Sequence, residues 1–282
     1  MIRAFLESWP LFRETYLAAW LIAVLLALVG VFVVARDQIF VGAAISQAST
    51  LGVALGLCLG AELAPEGSLW RSDHFLSVVA VAFAVVAALI AGRGGGVGRE
   101  SREAVIGFIY LLGASATVLV ISHSPHGLDQ VQKLLASSVI GATGADVAVL
   151  GALTAVSGGF VLARCRPLVL LAMDPLMARA IGVSRLGDAA AAAWLGLVMG
   201  VTIRSAGMLY SFGCLVLPAL IAKNLCRATL PMFVVAPAVA AVVAVGGFVA
   251  GNALDFNEAQ LTVALMCALL GLAWAARALR RG

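Results

Sequence analysis

The side chains in this sequence whose types and spacing could do chemistry are few. Ser-His-Ser-Pro-His-Gly-Leu-Asp brings His123, His126 and Asp129 close together, and imidazole and carboxylate are ordinary donors for a divalent first-row ion. Structural zinc sites normally recruit four ligands, so the cluster reads either as an outer metal-contacting group or as solvated loop residues. His74 beside Asp73 is a weaker version of the same pairing. Cys58, Cys165, Cys214, Cys226 and Cys267 show no CxxC or other metal spacing. Most lie in apolar runs, where a thiol behaves as a small hydrophobe, and no disulfide framework is expected. Gly92-Arg93-Gly94-Gly95-Gly96-Val97-Gly98 is rich in glycine but lacks the lysine and Ser/Thr of a phosphate loop, and reads as a flexible linker. The sequence holds no HExxH or GxSxG and no pair of aspartates inside an apolar run, so no catalytic set can be named.

The elements that must carry these residues are set by composition. Of 282 residues, 63% are hydrophobic and 11% charged, and the mean hydropathy is +1.09. A soluble surface needs roughly a quarter of its residues charged. Here the charges cluster between apolar runs long enough to cross a hydrocarbon core of about 30 Å. The chain is therefore an all-α polytopic membrane protein, and residues 1–282 read as one transmembrane domain. Candidate spans are 16–35, 39–60, 75–91, 104–122, 146–163, 189–203, 208–222, 232–250 and 259–276. The stretch before the first, with Arg3, Glu7, Arg13 and Glu14, is too long and too acidic for a signal peptide. The two spans flanking Arg204 fall short of the roughly 20 residues of a full crossing. They read as broken or tilted helices, which leaves the count at eight or nine.

Orientation follows from the basic residues. One side collects Arg36, Arg93, Arg99, Arg102, Arg164, Arg166, Arg179, Arg185, Lys223, Arg227, Arg277, Arg280 and Arg281; the other holds Arg3, Arg13, Arg71 and Lys133. The positive-inside rule sets the C-terminus in the cytoplasm. The formal charge of +4 arises from these anchors and implies no nucleic-acid partner. Glu62, Glu66, Asp73, Asp129, Asp255 and Glu258 fall on the outer side, either focusing negative potential on incoming cations or simply solvating loops. Any energy source or receptor must come from another polypeptide.

Within the spans, polar groups are costly. Ser46 and Gln47 lie in the second. Gln47 either lines an aqueous path or makes an interhelical hydrogen bond that holds the bundle. Arg204, between Ile203 and Ser205, either snorkels to the interface or lines an outer vestibule, where it would disfavour a free dication and favour an anionic complex.

The segment from Ala172 to Asp188, Ala-Met-Asp-Pro-Leu-Met-Ala-Arg-Ala-Ile-Gly-Val-Ser-Arg-Leu-Gly-Asp, is the most informative. Asp174 reads as an N-cap with Pro175 at the first helical position. Leu176, Ala180 and Met177 give a small apolar face, and Gly182 stops the turn. The result is a short amphipathic helix, about 174–184, on the cytoplasmic side. It resembles the coupling helix of ATP-binding-cassette (ABC) importer permeases for divalent transition metals such as zinc and manganese, whose Asp-x-x-x-Ala-x-x-x-Gly pattern falls here on Asp174, Ala178 and Gly182, with Ser184 following. Gly207-Met208-Leu209, continuing to Pro218, Ala219, Ala222 and Lys223, is similar to the late-span signature of that family. Gly30 to Arg36, then Gly42, Ser46, Ala48 and Gly52, resembles its first-to-second-span region. The three matches keep the family's order and spacing over nearly the whole chain.

This resemblance implies a homodimeric permease in a bacterial-type inner membrane. Cytoplasmic ATPase subunits would dock on each copy and an extracytoplasmic solute-binding protein would deliver the cargo. It implies no cofactor on this chain, with ATP on the partner subunit, and a transition metal (zinc, manganese or iron) as cargo. One departure stands out. The family commonly shows Gly-Asp-x-x-x-His in the second span, an acid and an imidazole on one helix face. Here the stretch is Gly42-Ala43-Ala44-Ile45-Ser46-Gln47, so Ala43 and Gln47 stand where the ligands would be. Either ligands come from elsewhere, or the metal passes as a chelate or without a tight site, or the cargo is not a metal. A secondary transporter driven by an ion gradient is the rival class, opposed by the lack of an intramembrane carboxylate for coupling.

Overall fold

The computed structural model describes residues 2–63, 73–93, 101–122, 142–173, 175–180 and 185–279. They form α1 (Ile2–Ala35), α2 (Val41–Leu63), α3 (Asp73–Gly92), α4 (Arg102–Ile121), α5 (Gly144–Met173), α6 (Pro175–Ala180), α7 (Arg185–Ala206), α8 (Met208–Leu225), α9 (Thr229–Leu254) and α10 (Glu258–Leu279). Among the described residues, nine of these helices are long and apolar enough to cross a membrane. Helix is the form that apolar sequence must take in hydrocarbon, where each backbone N–H and C=O has to be satisfied within its own segment.

Helix starts are signed in the sequence. Ser101 caps α4, accepting from the Ala104 N–H at 3.1 Å. At α5, Asp146 accepts from the Thr143 N–H at 2.9 Å while Thr143 Oγ1 accepts from the Asp146 N–H at 3.4 Å, a reciprocal capping box. Asn257 accepts from the Gln260 N–H at 3.2 Å at the start of α10.

Several helices are longer than hydropathy suggests. The 146–163 run continues as helix to Met173, across Arg164 at φ −127° and ψ 18° and across Pro167. That departure from helical geometry is a kink that the missing proline N–H favours. The 189–203 run is the middle of a 22-residue helix, Arg185–Ala206, and 208–222 extends to Leu225. Neither helix beside Arg204 is broken within itself. α1 begins well before residue 16, running through Pro10.

The chain divides into two compact units. The first comprises 1–37, 137–183 and 209–282; the second comprises 38–136 and 184–208. In the second unit, α2 packs on α3 and α4, and α3 packs on α7. Small residues make the crossings, as expected where lipid removes the hydrophobic drive between helices and close packing takes its place. A Cβ at Gly196 would fall 2.6 Å from Val85 Cα and 2.8 Å from the Ala84 carbonyl oxygen, and one at Gly200 would fall 2.9 Å from Val81 Cα. Backbone therefore meets backbone between α7 and α3.

In the first unit, α1 packs on α5 and α9, and α9 packs on α10. Its core is aromatic. Tyr16 meets Phe248 edge-on at 5.7 Å between ring centroids, and Tyr210 meets the same ring at 6.4 Å. Such pairs contribute about 0.5–1.5 kcal/mol beyond area burial. Gly30 lets α1 approach α8 so closely that an added Cβ would collide with the Leu215 carbonyl.

Candidate functional site

In the second unit the site is built on the first two turns of α2. Ser46 is fully buried and donates its hydroxyl proton to the Gly42 carbonyl at 2.8 Å, and Thr50 donates to the Ser46 carbonyl at 3.0 Å. Both hydroxyls thus satisfy themselves on their own helix. Gln47 does not: its Nε2 donates toward Met208 Sδ at 3.5 Å. The contact is interhelical, and the side chain remains half-buried. Ala43, one turn earlier, is buried. α4 closes the other side, because a Cβ at Gly113 would stand 2.9 Å from the Gln47 carbonyl carbon and 3.0 Å from Gln47 Cβ.

Met208 reaches Gln47 because of Gly207. Its N–H closes α7 on the Ile203 carbonyl at 2.7 Å, and its φ of 78° belongs to the left-handed region that glycine enters without steric penalty. α8 then begins at the next residue. Arg204 sits in the last turn of α7 with its side chain exposed, where a cation complements the helix dipole.

In the first unit, the late-span residues Pro218, Ala219 and Ala222 are all buried in α8. Pro218 cannot donate to the carbonyl four residues before it. α8 is anchored along its length. Tyr210 donates its hydroxyl proton to the Ala19 carbonyl at 3.0 Å, and Lys223 pairs with Asp37 at 3.3 Å. Arg277 donates to Asn224 Oδ1 at 3.0 Å.

The helix read between Asp174 and Ser184 is present as α6, starting at Pro175 and ending at Ala180. Ala178 is the fully buried residue, on a helix that packs against α5, whereas Ala180 and Met177 are exposed. Ala178 is thus the inward residue of α6 and Ala180 faces outward. Thr229 at the start of α9 donates toward Met173 Sδ at 3.7 Å, holding the end of α5.

Several anticipated site residues lie outside the described residues: Asp174, Gly182 and Ser184 of the coupling segment, and His123, His126 and Asp129. Among the described residues, no three His, Cys, Asp or Glu side chains come together as a metal group. All five cysteines are free thiols. Met208, Gly113, Tyr210 and Asp37 were not singled out for these contacts from sequence. Of these, only Tyr210 carried a signal, a phenol in an apolar run that must find an acceptor when buried.

The helical framework is that of an ABC transporter permease. It is similar to PsaBC from Streptococcus pneumoniae, solved in complex with Fab, with a TM-score of 0.78 and 19% identity over 97% of this chain and 95% of that one. It is also similar to a transporter assigned to the metal-chelate ABC type in an inward-facing conformation, with a TM-score of 0.75 and 14% identity over 96% and 88%. No curated protein sequence matches. The sequence profile of the ABC 3 transport family matches residues 8–276, and the chain belongs to that family. Its nine membrane-length helices among the described residues are those of the membrane-spanning permease of such a transporter.

Proposed function

We propose that two copies of this chain form the passage for a transition metal, zinc, manganese or iron, handed over by an extracytoplasmic solute-binding protein. Cytoplasmic ATPase subunits dock on the segment 174–184 of each copy and drive alternating access. The chain itself binds no cofactor; ATP stays on the partner. It sits in a bacterial-type inner membrane with its C-terminus in the cytoplasm, as the one-sided distribution of arginine favours.

The observation that carries this reading is α6. A six-residue helix follows a membrane-length helix, is seated by the buried Ala178, and leaves Met177 and Ala180 exposed. A short helix with one buried residue and an exposed apolar face suits a socket on a motor subunit, because motion at either partner is then transmitted rather than absorbed.

The test is reconstitution of the permease with its ATPase and binding protein in vesicles. Metal uptake should require ATP and survive collapse of the proton gradient. Uptake that persists without the ATPase and stops with a protonophore would assign the chain to gradient-driven transport instead.

A further inference from the structure

Three membrane-length helices of the first unit end beside one another, and side-chain contacts fix how. Lys223, in the last turn of α8, reaches Asp37, just past the end of α1, at 3.3 Å. Asn224, the next residue, donates its amide to the Leu220 carbonyl of its own helix at 2.9 Å and accepts from Arg277 of α10 at 3.0 Å. The amide is held from both sides, so it sets the Arg277 guanidinium against the end of α8.

The corner so formed is positive. Residues 32–37, 220–229 and 274–279 contain Arg36, Lys223, Arg227 and Arg277 against a single carboxylate, Asp37. Arg36 adjoins that acid and lays its guanidinium over the Phe32 ring at 5.0 Å. A helix dipole favours a cation at each C-terminus, but it does not require α8 and α10 to bring theirs to neighbouring residues. Fold stability does not require it either, because the Lys223–Asp37 pair is exposed on both sides and such pairs contribute little. Like charges gathered in this way repel unless an anion lies among them. The bond to Asn224 engages one of the five donors of Arg277, and the pair with Asp37 one of the three of Lys223.

Depth selects the kind of anion. Trp274 precedes Arg277 by three residues, on the same face of α10, and is exposed, as are Leu272, Leu225 and Leu279. On a membrane-length helix an exposed tryptophan marks the level where hydrocarbon gives way to headgroups. The cations therefore stand at the height of lipid phosphate, with apolar surface for acyl chains directly beside them. Arginine meets phosphate oxygens in pairs, and basic pockets between helix ends are suited to anionic headgroups. We propose that the ends of α8 and α10 hold one anionic phospholipid, its phosphate between Lys223 and Arg277 and its acyl chains along the exposed side of α10 around Trp274. The site is independent of what the permease carries.

The experiment titrates delipidated full-length permease in detergent with phosphatidylglycerol or phosphatidylcholine of identical acyl chains, and reads the first bound lipid by native mass spectrometry. Phosphatidylglycerol should bind more than about tenfold tighter, and an excess of inorganic phosphate should not displace it. Lys223→Gln alone should weaken phosphatidylglycerol about fivefold, and Lys223→Gln with Arg277→Gln about thirtyfold, with phosphatidylcholine unchanged. Arg164→Gln with Arg166→Gln removes the same charge from the bend of α5 and should leave the affinity unaltered. Equal affinity for the two lipids, or an equal loss in the two double variants, would overturn the site. Displacement by inorganic phosphate would reassign it to the free ion. If the Lys223 and Arg277 variants kept their lipid affinity but lost the ATPase subunit, the corner would be a protein contact and the lipid assignment would fall.

Discussion

The two units solve the same problem, holding apolar helices together where lipid is as apolar as they are, with different side chains. In the second unit α7 meets α3 through missing side chains: Gly196 and Gly200 bring backbone against Val81, Ala84 and Val85. In the first, Gly30 and Gly247 also allow close approach, and large side chains add to the joining. Tyr16, Tyr210 and Phe248 interlock, and side-chain bonds tie the start of α8 to α1 through Tyr210 and its end to Asp37 and α10 through Lys223 and Asn224. A surface of backbone and methyl groups offers few polar anchors and few specific bonds to break, whereas interlocked rings and tethers resist relative motion of the helices they join.

The comparison is broken most directly at Gly196. Gly196→Leu should prevent the second unit from packing, a loss above about 4 kcal/mol, read as failure to recover monodisperse protein from the membrane. Recovery of a stable variant would mean that α3 and α7 are not held by close backbone approach. Next is α6. Ala180→Trp should reduce transport and substrate-stimulated ATPase more than tenfold at unchanged yield, because the residue is exposed. Ala178→Trp should instead lower yield, since Ala178 has no exposed surface and overpacking a filled site is destabilising. If both behaved alike, the assignment of a seated face and an open face on α6 would fall.

Tyr210→Phe sharpens the description of the first unit. It removes the bond to the Ala19 carbonyl while keeping the ring, at a cost of ~1 kcal/mol, visible as a small fall in Tm in detergent. A loss as large as that of a core truncation would show that the hydroxyl does more than tether. Smallest is Lys223→Gln. The Lys223–Asp37 pair is exposed on both sides, so its removal should change stability by less than ~1 kcal/mol and the effect should vanish at high salt. A salt-independent loss would point to a larger structural role for the corner at Asp37, whose φ of 52° is unusual for a residue with a side chain.

Much of this framework was legible in the sequence, because span existence depends only on local apolar content, and the start of α6 at Pro175 depends only on the fitness of proline for the first helical position. What escaped had physical reasons. The continuation of α5 past Ala163 runs through Arg164, Arg166 and Pro167, residues that read as the end of a span because charge and proline both disfavour buried helix. α7 begins at Arg185, in a charged stretch that hydropathy discards although arginine and alanine are good helix formers. At the site, the polarity of Gln47 was visible but its partner was not. A contact between residues 47 and 208 is made by the tertiary fold and leaves no periodicity in the chain. The same holds for Gly113, whose neighbour across the helix crossing cannot be read from its own surroundings.

The bend in α5 has a consequence for the membrane itself. Residues 144–163 precede it and rise about 30 Å at about 1.5 Å per residue, the thickness of a typical hydrocarbon core. Beyond the bend, Arg164 and Arg166 are exposed and belong at the headgroups. α5 is thus a gauge of fixed length that ends in a charged collar, and the nine residues after the bend are free of the bilayer's depth requirement. In a thicker bilayer a straight helix of this length could slide or tilt upright, but the collar resists being drawn into the acyl chains. The strain falls on the lipids around α5, so the chain length of the surrounding lipids becomes a variable to which this subunit responds even when its cargo and its motor are unchanged.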